Sequence, residues 1–271
     1  MQGTPNLTSL NRLAAEAARA GGQRLRELWR AGRVQVNART AHDVKLQADL
    51  ESEAAILDVL RRGRPGEAIL TEESGVSGGR DGDGLWIIDP LDGTVNFSHR
   101  HPHFAVSVAW AWRGEPRVGV VYDPLRDELF EAHHDGGARC NGVPVGVSAV
   151  AGLAEGMVVV GYGKDNPGEH AGAALRALAG RVQKLRISGS AALDVSYIAC
   201  GRLDAYCEHS ISVWDVAAAA VILREAGGAC LTWAWPEPLR RRCLATNGHL
   251  ETELLSLLGL DPAQCAGRYD R

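Results

Sequence analysis

The sequence predicts a mixed α/β fold, and three patterns along its 271 residues support this prediction. Apolar residues recur at helical spacing in two N-terminal segments, 10–29 and 45–62. Strict alternation over 104–112, followed by apolar segments at 118–122 and 128–132, indicates an antiparallel meander. The rest of the chain alternates short apolar strands with helical segments, which is typical of layered α/β proteins.

Local signals define the elements of the N-terminal part. Gly21 and Gly22 interrupt the first helical pattern and predict a bend, and the polar stretch 33–40 predicts a flexible connector. Short apolar segments at 68–71 and 85–88, each followed by an acidic residue, are predicted as strands. Five apolar residues form the predicted buried face of the second helix, namely Leu46, Leu50, Ala54, Leu57 and Leu60.

The second part of the chain is predicted to contain further strands and helices in alternation. Strands are predicted at 157–160 and 203–207 and near Ala229 and Cys243, and helices at 169–179, 189–200, 213–226 and 250–258. We therefore expect two closely packed halves, residues 1–147 and residues 148–271, with the antiparallel sheet and most acidic candidate ligands in the first.

Composition and charge narrow the classes of function. The 29 basic and 33 acidic residues give a formal net charge of −4, so nucleic-acid binding is not expected. The basic run Arg240-Arg241-Arg242 is interpreted as the solvated entry of a strand. No segment approaches the ~20 apolar residues of a membrane span, and no signal peptide is expected. Six scattered cysteines without a Cys-x-x-Cys pair predict reduced thiols in a cytoplasmic protein.

The segment from Leu85 to Phe97 has the strongest chemical signal. Asp89 lies at the end of a predicted strand that Pro90 prevents from continuing. Asp92 and Gly93 form a turn that opens a short helix. Two carboxylates three residues apart therefore converge beside the free N–H groups of a helix start. Such a site suits Mg²⁺ held through carboxylates, together with a phosphate at the helix N-terminus.

An ordinary surface turn is the alternative interpretation of this segment, because Asp, Pro and Gly are typical turn residues. Two further acidic positions argue against it, since Glu72 follows another predicted strand and Asp215 opens a helical run of Ala and Val. His99, His101 and His103 have a spacing that would suit zinc ligation from one strand face. A proline interrupts these histidines, and we predict that they are loop residues.

Three motifs follow one another in a characteristic order along the chain. They are Glu72-Glu73-Ser74, Asp89-Pro90-Leu91-Asp92-Gly93-Thr94, and Trp214-Asp215 with Glu225-Ala226-Gly227-Gly228. Together they resemble the signature of the inositol monophosphatase family, which comprises Mg²⁺-dependent, lithium-sensitive phosphomonoesterases. The resemblance extends from about Leu10 to Leu258. It implies a layered αβαβα sandwich of the inositol monophosphatase and fructose bisphosphatase type, and a homodimer that acts on a small-molecule phosphate ester.

The resemblance implies two to three Mg²⁺ ions per active site and assigns their ligands. One ion is expected at Glu72, Asp89 and the backbone carbonyl of Leu91. The next is expected at Asp89, Asp92 and Asp215. A third, looser ion is expected at Glu72 with water ligands.

The resemblance also assigns catalytic and substrate-binding roles. Asp49 with Thr94 is expected to orient the attacking water, because a hydroxyl is too weak a base without its carboxylate partner. Glu72 joins this pair in the expected catalytic set. The backbone N–H groups of Gly93 and Thr94 are expected to hold the phosphate. Further substrate contacts are expected from Asp92, Ser190, Ala191 and Glu208.

Two departures from the family pattern concern the third ion. A common Asp-x-Val-Thr-x-x-Asp stretch is represented here by Asp43-Val44-Lys45-Leu46-Gln47-Ala48-Asp49, with both end acids kept. A lysine that the family often has is replaced by Ala38, which is followed by Arg39. The expected ligands of the two-ion core are all present.

These observations favour Mg²⁺-dependent hydrolysis of a small polyol phosphate monoester, with inositol 1-phosphate as the leading substrate. Relatives also hydrolyse histidinol phosphate, fructose 1,6-bisphosphate or 3′-phosphoadenosine phosphates, and these substrates stay open. Val95-Asn96-Phe97 resembles the inositol group more than the nucleotide group. A non-catalytic interaction protein that retains the fold is the alternative of a different class, and loss of a metal ligand would favour it.

Overall fold

A computed structural model describes residues 5–32, 35–39, 44–79, 83–163 and 167–269 of the chain. These ranges contain seven α-helices: α1 (Leu7–Arg30), α2 (Gln47–Gly63), α3 (Thr94–Ser98), α4 (Pro167–Leu178), α5 (Ala191–Ala199), α6 (Val213–Glu225) and α7 (Glu251–Leu258). None of the described helices is both long and apolar enough to cross a lipid bilayer. The six cysteines, all within the described ranges, are free thiols.

The first large sheet has eight strands in the order β10-β9-β8-β7-β6-β5-β3-β4. Only β3 and β5 are parallel to each other among its described pairs, and the other neighbours are antiparallel. Its strands are β3 (Ala68–Thr71), β4 (Gly75–Ser77), β5 (Gly84–Asp92), β6 (Ala105–Trp112), β7 (Glu115–Asp123), β8 (Glu128–His133), β9 (Ala138–Cys140) and β10 (Val143–Pro144).

The second large sheet has six strands in the order β12-β11-β13-β15-β14-β16. β11 runs parallel to both β12 and β13, and the remaining pairs are antiparallel. Its strands are β11 (Met157–Val160), β12 (Lys184–Arg186), β13 (Ala205–Ser212), β14 (Ala229–Ala234), β15 (Arg240–Thr246) and β16 (Gly267–Tyr269).

The two sheets and the helices stack in five layers. α1 and α2 cover the outer face of the first sheet, with Leu25, Ile56 and Trp110 in their shared core. α5 and α6 fill the space between the sheets. α4 and α7 cover the outer face of the second sheet. The predicted mixed α/β fold and its αβαβα layering are therefore confirmed.

Strand β6 shows how an alternating sequence serves two layers. Large residues such as Trp110 pack toward α1 and α2, whereas small residues such as Ala109 face α6. On the neighbouring strand β7, a Cβ atom at Gly119 would collide with the backbone carbonyl of Ala218 in α6. These small residues let α6 approach the first sheet closely. That approach matters for function, because the first turn of α6 contains Asp215.

The two glycines of α1 do not interrupt the helix. α1 is continuous over 24 residues. A Cβ atom at Gly21 would lie 2.7 Å from Cγ1 of Ile56 in α2, and one at Gly22 would collide with the ring of Tyr122. The glycines therefore serve close packing against α2 and β7.

The predicted flexible connector contains a strand, so that prediction is wrong for the residues that form it. Strand β1 (Val36–Arg39) pairs antiparallel with β2 (Val44–Leu46). Residues 33, 34 and 40 of the predicted connector lie outside the described residues.

Helix α2 buries a different face from the predicted one. Leu50 and Ala54 are exposed. Their place is taken by the polar residues Asp49 and Ser52, which are buried where α2 meets the end of β5. There the Ser52 hydroxyl donates a hydrogen bond of 2.7 Å to the carbonyl of Pro90. The other three predicted residues are buried, namely Leu46, Leu57 and Leu60.

Strand β5 continues past the predicted stop. It runs through Pro90 to Asp92, and its pairing with β6 is irregular between Asp89 and Asp92. Because proline lacks an N–H group, it is tolerated at such an irregularity. The irregular segment places two aspartates at one end of the strand.

Candidate active site

Three carboxylates from separate elements meet at the end of β5. Glu72 follows β3, Asp89 lies in β5, and Asp215 lies in the first turn of α6. One ligand oxygen from each residue lies within 4.8 Å of the other two. The parallel pairing of β3 and β5 brings the ends of these strands together. The backbone N–H of Ser212 donates to Asp215 at 3.1 Å, which orients that carboxylate.

The electrostatics of this group favour a bound cation. Burial raises the pKa of Asp89 well above its ordinary value, and the charges of Glu72, Asp215 and Asp92 raise it further. Burial and the charges of Glu72 and Asp92 likewise raise the pKa of Asp215. Buried carboxylates of like charge repel one another unless protons or cations compensate them. An oxygen-only donor set of this kind fits Mg²⁺.

Asp92 lies outside the group of three and has partners from α5. Its Oδ2 atom accepts hydrogen bonds from the Ser190 hydroxyl at 2.6 Å and from the Ala192 N–H at 2.8 Å. Burial raises the pKa of Asp92 to about 6, against the opposing effect of these two bonds. Ser190 and Ala191, predicted as substrate contacts, therefore lie at the start of α5 directly beside Asp92.

Asp49 and Thr94 are in contact, as the resemblance implies. The Thr94 hydroxyl lies 3.2 Å from Oδ1 of Asp49 and 3.0 Å from the carbonyl of Leu91. Its single proton can serve only one of these acceptors. Oδ2 of Asp49 accepts from the N–H of Leu46 at 2.9 Å. Burial raises the pKa of Asp49 to about 7, so this carboxyl group changes its charge near neutral pH.

Gly93 occupies a position that only glycine suits. Its φ is +96°, and a Cβ atom there would lie 3.0 Å from the carbonyl of His103 and 3.2 Å from that of Gly189. The Asn96 amide donates to His103 at 2.7 Å and to Ser188 at 2.8 Å. These bonds fix the start of α3, where the N–H groups of Gly93 and Thr94 lie.

Glu208 lies on β13 and accepts a hydrogen bond from the Tyr206 hydroxyl. Burial is the main reason that its pKa rises to about 7, and the charge of Asp92 contributes to the rise. A Cβ atom at Gly161 would collide with the Glu208 carboxylate, and one at Gly163 would lie 3.1 Å from its Oε1. The two glycines therefore leave room for this carboxylate.

Several supporting residues were not predicted. Buried Asp194 accepts hydrogen bonds from Ser188 at 2.6 Å and lies 3.1 Å from Nε2 of His103. One supporting contact has a signal in the sequence, namely the hydrogen bond from the Ser212 N–H to the Asp215 carboxylate. The signal is the Ser-x-x-Asp pattern before an apolar run, which is typical of a helix start. Two positions concern the stretches that depart from the family pattern. Asp43, the first acid of the altered stretch, lies outside the described residues. Ala38 lies in strand β1, and the structure describes only the strand there.

Known proteins provide an independent comparison. A protein-family model, that of the inositol monophosphatase family, matches residues 6–259. An inositol-1-monophosphatase of Synechocystis sp. is 42% identical over 255 residues, which cover 92% of this chain and 88% of the relative. The Nus factor SuhB of Pasteurella multocida is 40% identical over 221 residues, which cover 80% of this chain and 82% of the relative.

A solved structure agrees with these sequence matches. The inositol monophosphatase of Anabaena superposes with a TM-score of 0.82 at 38% identity, over 95% of this chain and 98% of that chain. The family resemblance found in the three motifs is thereby confirmed. The chain belongs to the inositol monophosphatase family and is a phosphoric monoester hydrolase.

Proposed function

We propose that the protein hydrolyses a small polyol phosphate monoester in a Mg²⁺-dependent reaction, with inositol 1-phosphate as the leading substrate. One observation carries the proposal, namely that the carboxylates of Glu72, Asp89 and Asp215 converge within 4.8 Å. The Asp49–Thr94 pair is joined to the same strand end through Leu91. The Synechocystis relative, whose name is inositol-1-monophosphatase, supports the choice of substrate.

The residues at the end of β5 would hold the metal. Glu72, Asp89 and the Leu91 carbonyl would bind one ion, and Asp89, Asp92 and Asp215 a second. Glu72 with water would hold a third, looser ion. Mg²⁺ held by these residues would neutralise phosphoryl oxygens, lower the pKa of a bound water and stabilise the leaving oxygen.

Asp49 and Thr94 would orient the attacking water and accept its proton. When the Thr94 hydroxyl donates to Asp49, the Thr94 oxygen accepts a hydrogen bond from water. As the water is deprotonated, its proton passes to the Thr94 oxygen and the Thr94 proton passes to Asp49. The pKa of Asp49, about 7, suits this uptake near neutral pH. Glu72, close to the same strand end, would complete the catalytic set.

Other residues would hold the substrate. The N–H groups of Gly93 and Thr94 would bind the phosphate, with Asp92 beside them. Glu208 would accept hydrogen bonds from ring hydroxyls of the alcohol. The turn at Ser190 and Ala191 would contact the same part of the substrate. The preference for a polyol then depends mainly on Glu208, because a carboxylate binds an alcohol with hydroxyl donors more tightly than one that lacks them.

Steady-state hydrolysis of a panel of phosphate esters tests the proposal. The panel contains inositol 1-phosphate, histidinol phosphate, fructose 1,6-bisphosphate, 3′-phosphoadenosine 5′-phosphate and an aryl phosphate, each with Mg²⁺ and with a chelator. We expect the highest kcat/KM for inositol 1-phosphate and no turnover with the chelator. The Asp89→Asn variant, purified identically, controls for contaminating phosphatases. A higher kcat/KM for another ester would replace the substrate, and turnover in chelator would refute the metal requirement.

The alternative function is that of a non-catalytic interaction protein that retains the fold, and the observation in its favour is that the Pasteurella multocida relative carries the name Nus factor SuhB. The presence of every expected metal ligand argues against a purely non-catalytic role. We also propose that the protein is cytoplasmic, lithium-sensitive and homodimeric, and that it binds no nucleic acid. Each protomer would consist of two closely packed halves, residues 1–147 and residues 148–271. Light scattering after size-exclusion chromatography tests the dimer, and inhibition of hydrolysis by lithium chloride tests the lithium sensitivity.

A further inference from the structure

Residues 188–192, which lie between β12 and α5 and include the first residues of α5, supply the partners of Asp92. The Ser190 hydroxyl and the Ala192 N–H both donate to Oδ2 of Asp92. Ala192 is the second residue of α5, so its N–H has no acceptor within the helix. These two bonds fix the orientation of the Asp92 carboxylate. The position of this segment therefore determines how Asp92 faces the site.

Asp194 joins the segment to the loop before β6. The Ser188 hydroxyl donates to Oδ2 of Asp194 at 2.6 Å, and the N–H of Asp194 donates to the carbonyl of Ser190 at 3.0 Å. The other carboxylate oxygen, Oδ1, lies 3.1 Å from Nε2 of His103. Asp194 therefore contacts the segment at two of its residues and connects it to His103.

Asn96 joins the same residues from the side of α3. Its amide donates to the carbonyl of His103 and to that of Ser188. Gly189 has a φ of +83°, and a Cβ atom there would lie 3.1 Å from this amide nitrogen. His103, Asn96, Ser188 and Asp194 thus form a closed ring of hydrogen bonds. This ring holds the segment against the start of α3.

The burial of Asp194 makes the ring resistant to movement. Asp194 is only 1% exposed and His103 only 9%. A buried carboxylate is costly unless it is hydrogen-bonded, and Ser188 and His103 each serve one of its oxygens. If the segment moved away, Oδ2 of Asp194 would lose its bond from Ser188 while still buried, which is unfavourable. Asp194 therefore restrains the segment.

We propose that Asp194 is a positioning residue for the hydrolysis reaction, which holds residues 188–192 where they orient Asp92 and contact the alcohol part of the substrate. Asp194 acts through Ser188 and Ser190 rather than by contact with the metal or the substrate. The inference rests on the proposed function, because the substrate contacts of Ser190 and Ala191 belong to that function.

Hydrogen–deuterium exchange of the metal-free protein, measured by mass spectrometry on peptides that contain Ala192, tests the restraint. We expect the backbone amides of this region to exchange roughly tenfold faster or more in Asp194→Ala and in Ser188→Ala than in the wild type. Ser188→Ala keeps the contact between Asp194 and His103, so the test does not depend on whether Asp194→Ala folds.

Asp204→Ala is the matched control for the exchange experiment. Asp204 is a buried aspartate, 6% exposed, that also accepts hydrogen bonds from a serine hydroxyl and a backbone N–H. These donors belong to Ser148 and Met157, which have no part in the proposed site. We expect the peptides that contain Ala192 to exchange in the control as they do in the wild type.

Steady-state hydrolysis at saturating Mg²⁺ separates positioning from a loss of folded protein. For the ester with the highest kcat/KM, Asp194→Ala and Ser188→Ala should raise KM roughly 5- to 50-fold and keep kcat within about threefold. Asp194→Asn should keep KM within about threefold, because its amide can accept from Ser188 and donate to His103 in the other ring tautomer. A residue that only stabilised the fold would lower kcat through the folded fraction and leave KM unchanged.

Three results would each overturn the proposal. They are unchanged exchange near Ala192 in both alanine variants, an unchanged KM in both, and equal effects of Asp194→Asn and Asp194→Ala on KM. If the wild type hydrolyses none of the esters, the proposed function fails. The exchange experiment needs neither metal nor substrate, so it still decides whether Asp194 holds the segment in place.

Discussion

Replacing Asp49 by asparagine should change how the stability of the metal-free protein depends on pH. This side chain is only 2% exposed, and burial is the main reason that its pKa rises to about 7. In an unfolded chain the pKa of an aspartate is about 3.9. The folded state therefore prefers the protonated side chain, which asparagine resembles at every pH.

The size of the effect follows from these two pKa values. Below pH of about 4 both states bind the proton, and Asp49 imposes no penalty on folding. Between pH of about 4 and about 7, Asp49 is deprotonated in the unfolded chain but stays largely protonated in the folded chain. The free energy of unfolding therefore falls as the pH rises through this range, until Asp49 is also deprotonated in the folded chain. One pKa unit corresponds to about 1.4 kcal/mol. Between pH 5 and pH 8 the wild type should lose on the order of 2–3 kcal/mol more than the variant.

Urea unfolding in the presence of a chelator, followed by tryptophan fluorescence at pH 5 and pH 8, measures this difference. Comparing the two pH values removes the effect of the hydrogen bonds that asparagine makes or loses, because these are the same at both. Asp58→Asn is the matched control, since Asp58 is an exposed residue of the same helix with 67% of its side chain accessible. Equal pH dependence in Asp49→Asn and the wild type would refute the reasoning.

Three further outcomes are expected at the candidate active site. Asp89→Asn should abolish hydrolysis without unfolding the protein, as judged by circular dichroism, because the amide keeps the shape and loses the charge; full activity would contradict this. Thr94→Ala and Asp49→Asn should each lower kcat roughly 100-fold or more with little change in KM, and the double variant should be no worse; multiplicative losses would indicate separate roles. Glu208→Gln should lower kcat/KM for inositol 1-phosphate roughly 10- to 100-fold and leave an aryl phosphate almost unaffected in steady-state assays; unchanged kcat/KM for every ester would exclude a role in specificity.

Long elements with a strong apolar period could be predicted from the sequence. The strand predicted at 104–112 is observed as Ala105–Trp112, and the helix predicted at 213–226 as Val213–Glu225. Strands of two or three residues, such as β12 (Lys184–Arg186), were missed, because so few residues contain no period. Their position depends on pairing with neighbouring strands, which the local sequence does not encode.

The buried face of α2 shows a different limit of sequence-based prediction. Apolar spacing placed Leu50 inside, yet it is 42% exposed, while polar Asp49 is buried. Partners distant in the sequence decide this outcome, because Asp49 contacts Thr94, which lies 45 positions away. The family resemblance supplied that pairing, and no spacing rule would have found it. The half-buried environment of Arg242 could not be predicted from local spacing either, because it depends on residues of α4 and β13.

The bond between Asp92 and Ser190 joins positions that are 98 residues apart. Closing so long a loop costs entropy that is recovered only when α5 has packed between both sheets. During refolding, helices and the meander of the first sheet can therefore form before any turnover is detectable. The return of activity would report when the contact between Asp92 and Ser190 has formed. A chain cut between β10 and β11 would likewise regain turnover only at a rate set by the encounter of its two fragments.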